Sequence, residues 1–153
     1  MRSTMEFHLL QQPAELEASF ELMRQLRPHL NDAVVYTGQL IRQSQAGYVL
    51  LGAFRDERVA GLIGFRESEN LLYGRFIYVD DLIVDPAQRH SGLGGRLLSA
   101  ARDEARKRGC AHFVLDTGLH MALAQRFYFH EGLLAKGMHF VQPLTTPQEN
   151  RHA

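Results

Sequence analysis

The chain has 153 residues, 45% of them hydrophobic, and its 17 Lys plus Arg balance its 17 Asp plus Glu. That size and apolar content suit one domain, over 1–153, with a proper core and exclude a disordered chain. Zero formal net charge argues against nucleic-acid binding through a bulk basic surface. No apolar run approaches the length of a membrane span, and the single cysteine, Cys110, excludes an intrachain disulfide. The opening "MRSTMEFHLLQQ" lacks the apolar run of a signal peptide, so a reducing, cytoplasmic setting is expected.

Segment 5–11 alternates weakly and predicts a first strand. Pro13 at a first helical position, then Leu16, Phe20, Met23 and Leu26 at helical spacing, predict one helix over 13–26, closed by Pro28. A second helix is predicted over 31–47, capped by Asn31 or Asp32 and ended by Gly47. Segments 48–55 and 58–68 flank the polar turn "RDER" and predict a β-hairpin. Segment 75–85 is the strongest strand, rich in β-branched and aromatic residues and ended by Pro86. A helix follows over 92–109, with Leu93, Leu97, Leu98, Ala101 and Ala105 as its apolar stripe and Gly109 as its stop. Segment 111–118 reads as a buried strand and 121–132 as a short helix stopped by Gly132. Segment 133–144 reads as a final strand bent at Gly137, and 145–153 as a polar tail. Hairpins combined with a strand–helix–strand order predict an α/β (α+β) fold: a mixed sheet with helices on both faces.

The stretch "QRHSGLGGRLL" (88–98) places glycines between the strongest strand and an amphipathic helix. The first N–H groups of a helix have no internal partner and its dipole is positive there, so glycines admit a phosphate to the main chain. Arg89, His90 and Arg96 add charge nearby. A Walker A loop would need Lys and Ser or Thr after the last glycine, whereas Gly95 and Arg96 follow Gly94. A dinucleotide fingerprint fails because Leu97 holds its third glycine position.

"RHSGLG" (89–94), following "YVDDLIVDP" and opening a helix with a Leu-Leu pair, resembles the Arg/Gln-x-x-Gly-x-Gly/Ala motif of the GNAT superfamily of acetyl-CoA-dependent N-acetyltransferases. "FYFHEGL" (127–133) resembles that superfamily's second signature, and the order of elements matches over nearly all of 5–144. The resemblance implies a mostly antiparallel central sheet of roughly six or seven strands between helices. It implies acetyl-CoA as co-substrate. The amides of His90, Ser91, Gly92, Leu93, Gly94 and Gly95, with Arg89 and Arg96, would hold the pyrophosphate. The main chain of Leu82, Ile83 and Val84 would hold the acetyl and pantetheine groups, with His120, Met121, Ala124 and Phe127 beside the arm. Many members carry Asn where this chain has Met121, and His120 is the candidate substitute. Tyr128 would be the general acid that protonates the departing thiolate. A homodimer is compatible with the resemblance.

The chemistry needs a base to free the acceptor nitrogen, since an alkyl ammonium titrates near pH ~10.4. Asp80 and Asp81 are the candidates, and strand alternation sends them to opposite faces unless a bulge intervenes. A small-molecule primary amine is the expected acceptor, with Tyr36, Glu67, Glu69, Tyr73 and Asp80 lining its site. Two alternatives stay open: a non-catalytic acyl-CoA-binding module, and an acetyltransferase acting on protein lysines or N-termini. No metal is expected, because no His-x-x-x-His pair and no thiolate cluster occurs.

Overall fold

The computed structural model describes residues 4–145. It divides into two units, the first ending at Leu115 and the second beginning at Asp116. Beyond Thr145 the expected polar tail lies outside the described residues.

The first unit runs β1 (Glu6–Leu9), α1 (Pro13–Ala18), α2 (Phe20–Leu26), α3 (Ala33–Gln45), β2 (Val49–Arg55), β3 (Arg58–Asn70) and β4 (Gly74–Val84). A short 3-10 turn at Pro86–Gln88, α4 (Leu93–Lys107) and β5 (His112–Leu115) complete it. The strands form one sheet in the order β1-β2-β3-β4-β5. β1 to β4 pair antiparallel, while β4 and β5 run parallel, joined by the crossover helix α4 that a parallel pair requires.

Local chemistry explains the boundaries. The Asp32 carboxylate accepts the amides of Val34 and Val35 and so starts α3. Asp56 and Glu57 both take positive φ, 51° and 64°, the twist of a type I′ hairpin turn made without glycine. The single helix expected over 13–26 is instead two. Ser19 interrupts it: its hydroxyl and its N–H both turn back to the Leu16 carbonyl, an i−3 bond that competes with the α-helical ladder.

One face of the sheet carries α1–α3. There Leu16, Phe20, Met23, Tyr36 and Leu40 pack with Tyr48, Leu50 and Leu62 in one buried cluster. The other face carries α4, where a Cβ on Gly61 would stand 2.8 Å from Leu97 and 3.2 Å from Leu93. Glycine there lets the helix approach the sheet. The apolar stripe of α4 is buried as its spacing predicts.

In the second unit, α5 (Ala122–His130) is followed by Gly132 at φ 91°. The Gln125 amide donates to the carbonyls of Gly118 and Leu119. The strand expected over 133–144 does not form, and the described sheet has five strands rather than six or seven. A strand needs a neighbour for its main-chain groups, and this segment has none among the described residues. Leu134, Met138, Phe140, Val141 and Leu144 are exposed, and Pro143 offers no N–H to a ladder. β5 is also shorter and less buried than expected, since β4 is its only partner among the described residues. No helix among the described residues is long and apolar enough to cross a membrane.

Candidate active site

The register of β3 against β4 slips at one point. Gly64 faces Asp81 and Phe65 faces Val79, which leaves Asp80 as the extra residue of a β-bulge. The alternation that would send Asp80 and Asp81 to opposite faces is therefore broken. Asp81 is held by three hydrogen bonds from two side chains: Arg27 donates to Oδ1 through Nε and Nη2 at 3.2 and 3.1 Å, and the Tyr48 hydroxyl donates to Oδ2 at 2.7 Å. Arg27 Nη2 also donates to the Asp80 carbonyl at 2.7 Å, which pins the bulge itself. Gly64 makes this possible, because a Cβ there would stand 1.8 Å from the Tyr48 hydroxyl.

Asp80 is held by less. Arg66 Nη2 donates to Oδ1 at 2.8 Å, while Oδ2 is buried with no hydrogen-bond partner among the described residues. Burial pushes the Asp80 carboxyl above the usual carboxylate range, Arg66 pulls it back, and the charge of Asp81 adds to the rise. Of the two carboxylates, Asp81 is committed to the scaffold and Asp80 keeps an unspent acceptor. Burial also pushes Tyr36 up to about 12 and Tyr48 well above its ordinary value, with Asp81 adding to both.

Downstream of the bulge, β4 changes its neighbours. β5 pairs only with Phe76 to Val79, so Asp80 to Val84 have no strand on that side among the described residues. The Asp85 N–H donates to the Ala60 carbonyl. Antiparallel alternation from that bond turns the main-chain groups of Ile83 toward β3 and those of Leu82 and Val84 toward the free edge.

The glycine loop closes the same end of the strand. Asp85 accepts the Ala87 amide, and the Ser91 hydroxyl donates to the Gln88 carbonyl. His90 and Gly92 both adopt positive φ, 65° and 78°, which Gly92 takes without strain. Gly92 is the N-cap of α4 and provides no side-chain cap, so the amides of Leu93, Gly94 and Gly95 begin the helix without one. Such an end fits a phosphate group. Arg89 and His90 are exposed there, whereas the Arg96 guanidinium lies 4.8 Å from the centre of the Phe7 ring. Leu93 is buried, so its side chain belongs to the core and only its main chain is available to a ligand.

In the second unit, Ala124, Phe127 and Tyr128 are half-buried on α5, with the Phe127 and Tyr128 rings 5.3 Å apart. Burial alone raises the Tyr128 hydroxyl above its ordinary value, so it stays protonated at neutral pH. Met121 is the N-cap of α5, and His120 lies against Gly118.

Tyr36, expected to line the acceptor site, is instead buried in the core with its hydroxyl 2.7 Å from Ser19. Glu67 and Tyr73 engage other groups. Glu67 pairs with Arg75 and Arg108, while Tyr73 contacts the rings of Phe76 and His112 at the β3–β4 turn. Glu69 stands opposite Arg75 in the ladder. Sequence reasoning missed Arg27, Tyr48 and Arg66. Only Arg66 leaves a trace in the sequence, two places after Gly64 and so on the same strand face.

The fourth strand of a mixed sheet loses one neighbour beside a glycine-capped helix, the arrangement expected from the resemblance of the sequence to acetyl-CoA-dependent acyltransferases. The acetyltransferase (GNAT) family model matches residues 8–131. The chain belongs to that family and is an acetyl-CoA-dependent acyltransferase. It is 30% identical over 115 residues to the uncharacterized N-acetyltransferase YhdJ of Bacillus subtilis (strain 168), covering 74% of this chain and 80% of that one. It is 31% identical over 93 residues to the aminoalkylphosphonate N-acetyltransferase of Salmonella typhimurium, covering 60% of each chain. The aminoglycoside N-acetyltransferase AAC(6')-Iy in complex with CoA shares the fold, with a TM-score of 0.80 at 18% identity over 95% of this chain and 98% of that one.

Proposed function

We propose that this enzyme transfers the acetyl group of acetyl-CoA directly to a primary amine of a small molecule, with Asp80 as base and Tyr128 as general acid. The observation that carries the reading is the bulge: it sets a carboxylate with an unspent, buried oxygen where the outer edge of β4 becomes free. The relative that acts on aminoalkylphosphonates supports a small-molecule acceptor.

The co-substrate brings an acetyl group activated as a thioester. The amides at the start of α4 would hold its pyrophosphate, and the outward main-chain groups of Leu82 and Val84 its arm and acyl group. Asp80 takes the ammonium proton, directly or through water, leaving a lone pair on nitrogen. That pair forms the new carbon–nitrogen bond as the carbon–sulfur bond breaks. The outward N–H of Leu82 offers a donor to the developing oxyanion, a contribution of roughly 3–4 kcal/mol in comparable acyl-transfer sites. Tyr128 gives its proton to the departing sulfur, the acylated nitrogen gives up its second proton to restore the Tyr128 hydroxyl, and Asp80 releases the proton it took to solvent.

The test is CoA-thiol release from acetyl-CoA with a panel of amines, polyamines, aminoglycosides, amino acids and lysine peptides. Turnover with a small amine is expected. Binding of acetyl-CoA with no release to any acceptor would favour a non-catalytic acyl-CoA-binding role. Release with lysine peptides alone would favour a protein substrate.

A further inference from the structure

We propose that the acceptor is a small amine carrying its own anionic group, a carboxylate or a phosphonate, and that Arg66 selects it by binding that group while the ammonium binds Asp80. The inference rests on the acetyl-transfer reading and names its substrate class.

The surroundings of Asp80 carry it. A cationic acceptor would call for surplus negative charge, yet of the two glutamates expected to supply it, Glu67 is paired with Arg75 and Arg108, and Glu69 lies three residues beyond Arg66 on β3, opposite Arg75. Around the bulge stand two carboxylates, Asp80 and Asp81, and two guanidiniums, Arg27 and Arg66. That set is already balanced, so a polycation arriving there meets two positive charges with no negative charge to spare.

The two arginines are not equivalent. Arg27 is tied by three hydrogen bonds, two to the Asp81 carboxylate and one to the Asp80 carbonyl. Arg66 contacts Asp80 through Nη2 alone, and its side chain is 53% exposed. A guanidinium presents five N–H donors in a planar fork suited to an oxyanion. Arg66 is therefore the cation with donors left for a second partner.

An ammonium that binds Oδ2 of Asp80, unpartnered among the described residues, adds a third positive charge beside Arg27 and Arg66. With a simple amine that third charge has no counter-charge among the groups of the bulge. With an amine that carries an anion, Arg66 pairs with that anion and every charge keeps a counter-charge. The 2.8 Å contact between Arg66 and Asp80 requires the two substrate charges to lie only a few bonds apart.

The experiment measures CoA-thiol release at saturating acetyl-CoA with β-alanine and 2-aminoethylphosphonate, against propylamine and putrescine. The anionic amines are expected to show kcat/KM at least about tenfold higher, chiefly through KM, and the better of the two identifies the anion. Arg66→Gln is expected to bring that ratio close to one. Arg66→Lys, which keeps the charge but not the fork, should give an intermediate ratio. Each ratio is taken within one preparation, so a loss of folded protein cancels. Equal or better turnover of propylamine or putrescine, or an unchanged ratio in Arg66→Gln, overturns the inference and leaves acetyl transfer standing. No thiol release with these or any other amine overturns acetyl transfer and the inference with it.

Discussion

The two halves of β4 are built from similar residues and placed in different company. Phe76 to Val79 are paired on both sides, by β3 and β5, and Phe76, Ile77 and Val79 are buried. Asp81 to Val84 are paired with β3 alone among the described residues, Asp80 is the bulged residue before them, and all five are half-buried. The first half is scaffold. In the second, a bulge and the loss of one neighbour leave a carboxylate and main-chain groups available for chemistry. The proposed site lies where the pairing stops, and the β-propensity of the strand does not mark that point.

The contrast can be broken by truncating one side chain in each half. Ile77 is fully buried, so Ile77→Ala should cost about 2–5 kcal/mol of stability in denaturant unfolding. Leu82→Ala, at a half-buried position, should cost clearly less. Equal costs would mean that the free edge is packed as tightly as the sheet interior.

Gly64→Ala attacks the junction. The added methyl displaces the Tyr48 hydroxyl from Asp81, and a loss of about 1–3 kcal/mol is expected from overpacking and an orphaned hydroxyl. Tyr128→Phe separates proton delivery from proton removal. We expect kcat to fall at least about tenfold with little change in acetyl-CoA affinity, and wild-type turnover would remove Tyr128 from the reaction.

The smallest effect is on pH dependence. Tyr36 and Tyr48 titrate above their ordinary value in the folded state, Tyr36 at about 12. Their contribution to stability is therefore present below the unfolded value of about 10 and is lost as pH rises toward 12. Alkaline titration of tyrosinate absorbance should show delayed ionisation that coincides with unfolding. Ionisation of all five tyrosines near pH ~10 in folded protein would contradict the buried cluster.

Much of this was legible in the sequence because it is local. The stripe of α4, Gly92 before it, the Asp32 cap and the β2–β3 hairpin each depend on residues close in the chain. The bulge is not local. Whether Asp80 and Asp81 alternate depends on where β3 shifts register, and the relevant space is cleared by Gly64 for a tyrosine on another strand's approach. Arg27 reaches the site from beyond α2, a contact 54 residues apart in the chain. The break at Ser19 was hidden because the apolar spacing continues across it. The segment 133–144 has an apolar composition that suits a strand, but composition does not supply a neighbouring strand.

The most direct measurement compares Asp80→Asn with Asp81→Asn in kcat/KM and in acetyl-CoA affinity. The account predicts that Asp80→Asn loses at least about a hundredfold in kcat/KM with acetyl-CoA affinity retained, and that Asp81→Asn loses stability more than turnover. Asp80→Asn within a few-fold of wild type, or a folded Asp81→Asn that carries the larger catalytic loss, would contradict it.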